Sequence, residues 1–234
     1  ILRALKMAQD AGYPVELNLN GLKVEYAHTR PYRGMKLEDI EILHALHEWK
    51  VEADYSSAVR LLEPFVRQLE QKEDSLANRN KYYRPLSYLK EKLLLWEIKQ
   101  QVDSVNVGDS VRPYLKKDML EGVYCDDGRR TYYWEGNQMI NTLIAYRIIK
   151  NDPSLCKLKE NMQLYILRTK ERGWNTYQAS SAVATVLTDL LAGSGGMSGT
   201  SVSVSGKDHQ RITEFPYHAR LTASDSLLIS KTGK

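Results

Sequence analysis

Apolar residues recur at three- and four-residue steps through most of the chain and change to two-residue steps only near its end, which predicts helices first and strands last. Residues 1–11 keep the helical period and stop at Gly12, with Pro14 just beyond. Residues 15–29 are predicted as a second helix: Val15, Leu17 and Leu19 alternate as a strand would, but Leu22, Tyr26 and Ala27 carry the longer period. In 36–53, Leu37, Ile40 and Leu43 share one side with Val51, while Ala45 and Trp49 face the other way. A helix without a wet face suits the inner of two layers. A long helix over 55–76 contains Pro64, which is expected to kink or restart it because the ring carries no N–H. The charged stretch 68–74 reads as a solvated face. A loop at 75–84 leads to Pro85, predicted to open a helix over 86–102 with Leu89, Leu93, Trp96 and Gln100 at turn spacing. Asp103, Asn106, Gly108 and Asp109 break it before a shorter helix at 111–120, and 121–133 form a turn-rich connection.

The strongest pattern lies in 134–192. Met139, Ile140, Leu143, Ile144 and Ile148 write one helix, Asp152-Pro153 an N-cap with proline in the first turn, and Leu155, Leu158, Met162 and Tyr165 the next. Gly173 stops that helix and Asn175 caps a third, whose Ala179, Ala182, Val183, Val186, Leu187, Leu190 and Leu191 form a narrow apolar stripe. Trp174 is expected to be buried in the turn between them. A Gly/Ser stretch at 193–200 is a connector, after which Val202 and Val204 alternate with serines, and 201–234 is predicted to hold three short strands. Three strands alone rarely make a stable sheet, so this β segment is expected to be incomplete unless it packs on the helices. About nine helices with short connections favour antiparallel hairpins. The expected fold is mainly α: an α/α-toroid over 1–192, or most of one, followed by a short β segment.

An Asn175-Thr176 pair opening an alanine-containing helix, preceded by the Gly173-Trp174 turn and a helix closing on Lys170 and Arg172, resembles the last helical hairpin of the thioester domain in the α2-macroglobulin and complement-type family, and its bacterial branch most closely. The likeness is clearest over 134–192 and weak over 85–133. It implies an α/α-toroid inserted in a β-sandwich, so that helices followed by strands is the expected order, with neighbouring β-sandwich domains as intramolecular partners. It also implies residence in a bacterial periplasm, on the cell envelope or outside the cell, and protease trapping through a parent protein. The family's thioester joins a cysteine thiol to a glutamine three positions on, in a Cys-Gly-Glu-Gln type motif. Here Cys125 is followed by Asp-Asp-Gly and Cys156 by Lys-Leu-Lys, so the chain carries no thioester and no functional residue is transferred.

Composition changes this picture little. At 234 residues, with 42% hydrophobic and 26% charged residues, the chain has enough apolar matter for one sizeable core. A net charge of +4 with short, separated basic runs at 79–84 and 129–130 argues against dedicated nucleic-acid binding. The two cysteines have neither metal-knuckle nor redox-pair spacing; a disulfide between Cys125 and Cys156 is compatible with the sequence and not required by it. Nothing approaches the ~20 apolar residues needed to span a bilayer. The chain opens on Ile1 already in helical period, as an excised part of a longer protein would.

Candidate chemistry is sparse. Glu41, His44, His47 and Glu48 share helical spacing that metal binding or proton transfer can use, but the order is not His-Glu-x-x-His; hydrogen bonding across a helix interface is the favoured reading. Cys125-Asp126-Asp127-Gly128 resembles metal–diphosphate clusters only superficially, since Arg129 and Arg130 follow; a solvated turn is favoured. Fifteen tyrosines against two phenylalanines include Tyr82-Tyr83 and Tyr132-Tyr133 beside Trp134, which suit loop packing better than a peptide or sugar groove. No catalytic, cofactor-binding or metal residue is assigned. The expected function is a non-catalytic module of a macroglobulin-like protein, with proteases as partners of the parent. The competing readings are a toroidal enzyme acting on polysaccharides or terpenoid diphosphates, and a purely structural interaction module.

Overall fold

The computed structural model describes residues 2–10, 12–19, 34–131, 138–170, 173–193, 201–205, 209–212 and 228–232. The chain is mainly helical and divides into two compact units, 1–186 and 187–234.

The first unit begins with α1 (Leu2–Asp10), ended by Gly12 at φ 88°. Residues 13–18 are not helical, and most of the second helix expected at 15–29 lies outside the described residues. In α2 (Leu37–Glu48) the Asp39 carboxylate accepts the Lys36 N–H at 2.8 Å, and Ile40, Leu43, His44, Ala45 and Leu46 are buried. Asp54 caps α3 (Tyr55–Arg79), accepting from the Ser57 N–H at 3.0 Å. Pro64 neither ends nor restarts this helix. Its ring deprives only the Arg60 carbonyl of a partner, and both residues are exposed, so water can take the place of the lost bond. The loop expected at 75–84 begins later, because buried Glu73 holds the end of α3 to the following segment by accepting from Tyr83 Oη and the Leu86 N–H, both at 2.8 Å.

Two departures from expectation surround the next helix. It was predicted from 86, but α4 spans Leu89–Val102; residues 85–87 are extended and pair with Arg130 through Ser87 N–H to Arg130 O (2.7 Å) and Arg130 N–H to Pro85 O (3.1 Å). The helix predicted at 111–120 is replaced. After a single turn, α5 (Gly108–Val111), and a 3₁₀ turn at Arg112–Tyr114, strand β1 (Leu115–Lys117) pairs antiparallel with β2 (Val123–Cys125), Leu115 facing Cys125 and Lys117 facing Val123. The turn between them is made by Asp118, whose Oδ1 accepts the N–H groups of Leu120 (2.9 Å) and Gly122 (2.7 Å), with Glu121 at φ 63°. Side-chain acceptance of two backbone donors stabilises a turn that helical propensity alone would not reveal. Alternation then buries Val123 and Cys125 on one face of β2.

Helix α6 (Gln138–Ile149) is buried at every residue except Gln138 and Arg147, and it touches α4, the two helices that follow it and β2. Each fully enclosed Leu or Ile there contributes roughly 1.5–3 kcal/mol. Asp152 caps the 3₁₀ turn Pro153–Leu155, which runs into α7 (Cys156–Thr169). Gly173, at φ 85°, turns the chain into α8 (Thr176–Ala182), and a π-helical turn follows at Val183–Leu187. Asn175 Oδ1 accepts the Gln178 N–H at 2.8 Å while Gln178 Oε1 accepts the Asn175 N–H at 3.1 Å, a reciprocal capping box. α4 packs against α2, α3 and α6, and α4 and α6 form the centre of this unit.

The second unit contains α9 (Thr188–Gly193) and a three-stranded antiparallel sheet in the order β4-β3-β5, with β3 at Ser201–Ser205, β4 at His209–Ile212 and β5 at Leu228–Thr232. Val202 faces Ile212 and Lys231; Val204 faces Gln210 and Ile229. The connector at 194–200, the turn at 206–208 and the apolar positions Phe215 and Leu221 lie outside the described residues.

Candidate functional site

The residues singled out for chemistry are dispersed into separate structural bonds. Glu41 pairs with Lys90 at 2.5 Å. His47 meets the edge of Tyr55, ring centroids 5.0 Å apart, and burial, with the neighbouring His44, lowers its pKa, so the imidazole is neutral near pH 7. His44 is buried, its Nε2 2.9 Å from Glu97 Oε2 and its Nδ1 3.7 Å from Glu48. Among the described residues no group of three or more His, Cys, Asp or Glu is disposed to hold a metal ion.

His44 instead belongs to a buried charge cluster centred on Glu97. Arg147 meets this carboxylate with both ends of its fork, Nε to Oε1 at 2.6 Å and Nη2 to Oε2 at 2.7 Å, and His44 bonds the same Oε2. Burial opposes ionisation of Glu97, but the Arg147 guanidinium, then His44, together with their hydrogen bonds, hold the carboxyl well below its ordinary range. The cluster ties α2, α4 and α6 together at the middle of the unit. Two signals for it were present in the sequence: Arg147 is the one charge in the apolar run 139–149, and Glu97 interrupts Leu93-Leu-Leu-Trp96 and Ile98.

The acidic pair in the turn is also committed to structure. Asp126 Oδ2 takes Lys116 Nζ at 3.1 Å and Gln138 Nε2 at 3.3 Å, and its Oδ1 accepts the Gly128 N–H. Asp127 accepts from Ser87 Oγ at 2.7 Å and from the Arg129 N–H, while Arg129 Nη2 reaches Asp74 at 2.9 Å. The two carboxylates therefore point to different partners instead of converging. Cys125 is wholly buried, its N–H bonded to Thr142 Oγ1 at 2.9 Å, and burial followed by the two neighbouring aspartates pushes its thiol pKa up to about 12. A thiol so poised is no nucleophile at neutral pH. Cys156 is exposed, and the two cysteines are not joined.

Of the aromatic residues, Tyr82 is exposed and Tyr83 bonds Glu73; Tyr132, Tyr133 and Trp134 lie outside the described residues. Trp174 departs from expectation. It is only partly buried, its indole N–H donating to Thr169 Oγ1 at 3.0 Å, and it forms one wall of a cleft of about 500 Å³. The turn after β2 contributes Asp126, Arg129 and Thr131 to this cleft, the start of α6 contributes Gln138 and Met139, α7 contributes Tyr165 and Thr169, and α8 contributes Gln178. Tyr165 is fixed by stacking on Tyr124, centroids 5.1 Å apart and planes inclined by 27°. Sequence reasoning missed this cleft because its walls come from four separate segments, 126–131, 138–139, 165–169 and 173–178, that are brought together only by folding. Among the described residues, no helix is long and apolar enough to cross a membrane. No protein-family model, curated protein or solved structure matches the chain.

Proposed function

We propose that the chain is a non-catalytic, toroid-type helical module of a macroglobulin-like protein of the bacterial periplasm, cell envelope or extracellular space, acting in protease trapping through its parent molecule. The observation that carries this reading is the arrangement around α6: an inner helix enclosed on all sides, joined by α7 and the Gly173-Trp174-Asn175 turn to a capped α8 that packs back upon it. These are the residues on which the family resemblance rests. Further support comes from candidate groups that are engaged in buried or part-buried bonds within the fold: His44 with Glu97, Asp127 with Ser87, and the Cys125 N–H with Thr142. A module of this kind moves as a rigid piece when a bait segment elsewhere in the parent is cut. It contributes shape and neighbouring β-sandwich contacts in place of a covalent bond.

The chain is expected to form no covalent adduct. Incubation with methylamine, and separately with several proteases, followed by intact mass measurement under denaturing conditions, should return the unmodified mass. A methylamine adduct or a denaturant-resistant conjugate would contradict the proposal. Turnover of a glycan or an isoprenoid diphosphate would favour the enzyme reading.

A further inference from the structure

We infer that the cleft beside Trp174 is a binding site for an uncharged saccharide, a ligand that nothing in the macroglobulin reading requires. The argument starts from charge. Among the described residues the ionic groups on its walls are paired within the protein, Asp126 with Lys116 at 3.1 Å and Arg129 with Asp74 at 2.9 Å, so these walls give no reason to select a charged ligand. What remains on offer is neutral hydrogen bonding. The carboxamide nitrogen of Gln178 is not used by the capping box, and Thr131 is exposed.

The walls also carry an aromatic ring. Trp174, the partly exposed ring, is held in place by its bond to Thr169 before any ligand arrives, while Tyr165 is buried and stacked on Tyr124. A pyranose has this pair of needs: hydroxyls at its edge that exchange hydrogen bonds with amide and hydroxyl groups, and a C–H face that packs on an aromatic ring. The volume, about 500 Å³, lies within the range of small-molecule sites. A peptide fits less well. The described walls are loops and helix ends without an open strand edge to extend, and Met139 is their one aliphatic-type side chain, so neither strand addition nor a helix-in-groove mode has its anchor.

The test is an array of neutral oligosaccharides probed with the whole chain, followed by calorimetric titration of the best binder, with an unrelated neutral peptide and an acidic oligosaccharide run beside it. The expected result is saturable binding of a neutral oligosaccharide, weakened about tenfold or more by Trp174→Ala and also by Thr131→Val, a surface change that leaves the capping box and ion pairs intact. Urea unfolding of each variant separates lost binding from lost folding. The inference is overturned if no neutral oligosaccharide binds at millimolar concentration, if the peptide or the acidic sugar binds as well, or if Thr131→Val and Trp174→Ala, both folded, leave affinity unchanged. None of these outcomes touches the covalent-adduct test of the macroglobulin reading.

Discussion

Replacing Arg147 with methionine probes the centre of the fold most sharply. Glu97 is deeply buried and meets Arg147 through two short charge-assisted bonds, with His44 as its other partner. Arg147→Met keeps most of the aliphatic bulk but leaves a carboxylate inside the protein with one imidazole to answer it. Removing one member of a buried pair costs about 3–5 kcal/mol, which lowers the melting temperature of a domain of this size by roughly 6–20 °C. Removing both, as in Glu97→Leu with Arg147→Met, is expected to cost much less, because no buried charge is orphaned. The pH dependence carries a second signature. In the native protein the Glu97 pKa is depressed, so its contribution to stability is present above the ordinary carboxylate range and is lost as pH falls through the lower folded value. Without Arg147, burial dominates and raises that pKa, so protonation on acidification relieves the variant. The gap between wild type and Arg147→Met should therefore shrink as pH is lowered from 7 towards the carboxylate range. Urea titrations of the wild type, both single variants and the double variant at a series of pH values measure this. Single-variant losses below about 1 kcal/mol, or a double variant equal to the sum of the singles, would refute the description of the cluster.

Other expectations follow from individual contacts. Trp174→Ala should cost about 2 kcal/mol from a lost indole bond and partial burial, below the ~3–5 kcal/mol of an enclosed ring, as read by urea unfolding. Asn175→Ala removes the capping box and should cost about 1 kcal/mol, whereas Asn175→Gly should cost only a few tenths. Thr142→Val leaves the buried Cys125 N–H without its acceptor and should destabilise the chain by about 1–3 kcal/mol. Under native conditions a thiol reagent should label Cys156 promptly and Cys125 only after unfolding; equal rates at both would contradict the buried, protonated thiol.

Helix identity was legible where burial and period agree. The run Met139 to Ile149 announced an inner helix, and Asn175 and Gly173 marked a cap and a stop that the structure uses as such. Boundaries slipped where a single distant bond decides them. Glu73 keeps α3 intact to Arg79 by receiving donors from Tyr83 and Leu86, and Arg130 draws 85–87 out of α4. The error at 111–120 has the same origin: Asp118 and Gly122 build a turn, and the strands they join are fixed by packing of β2 on α6 and α7, which a local window does not contain. His44 was correctly read as a hydrogen-bonding residue across an interface, but its partner Glu97 lies 53 positions away, out of reach of any spacing argument. The cleft was hidden for the same reason, since Thr131, Trp174 and Gln178 become neighbours only in the folded unit.

The measurement that bears most directly on the central proposal uses the full parent protein. After incubation with a protease, hydrolysis of a large protein substrate and of a small chromogenic peptide are followed side by side. The proposal expects the protease to lose the large substrate while keeping the small one, with no covalent link between the protease and this module. Equal activity on both substrates, with and without the parent protein, would contradict it.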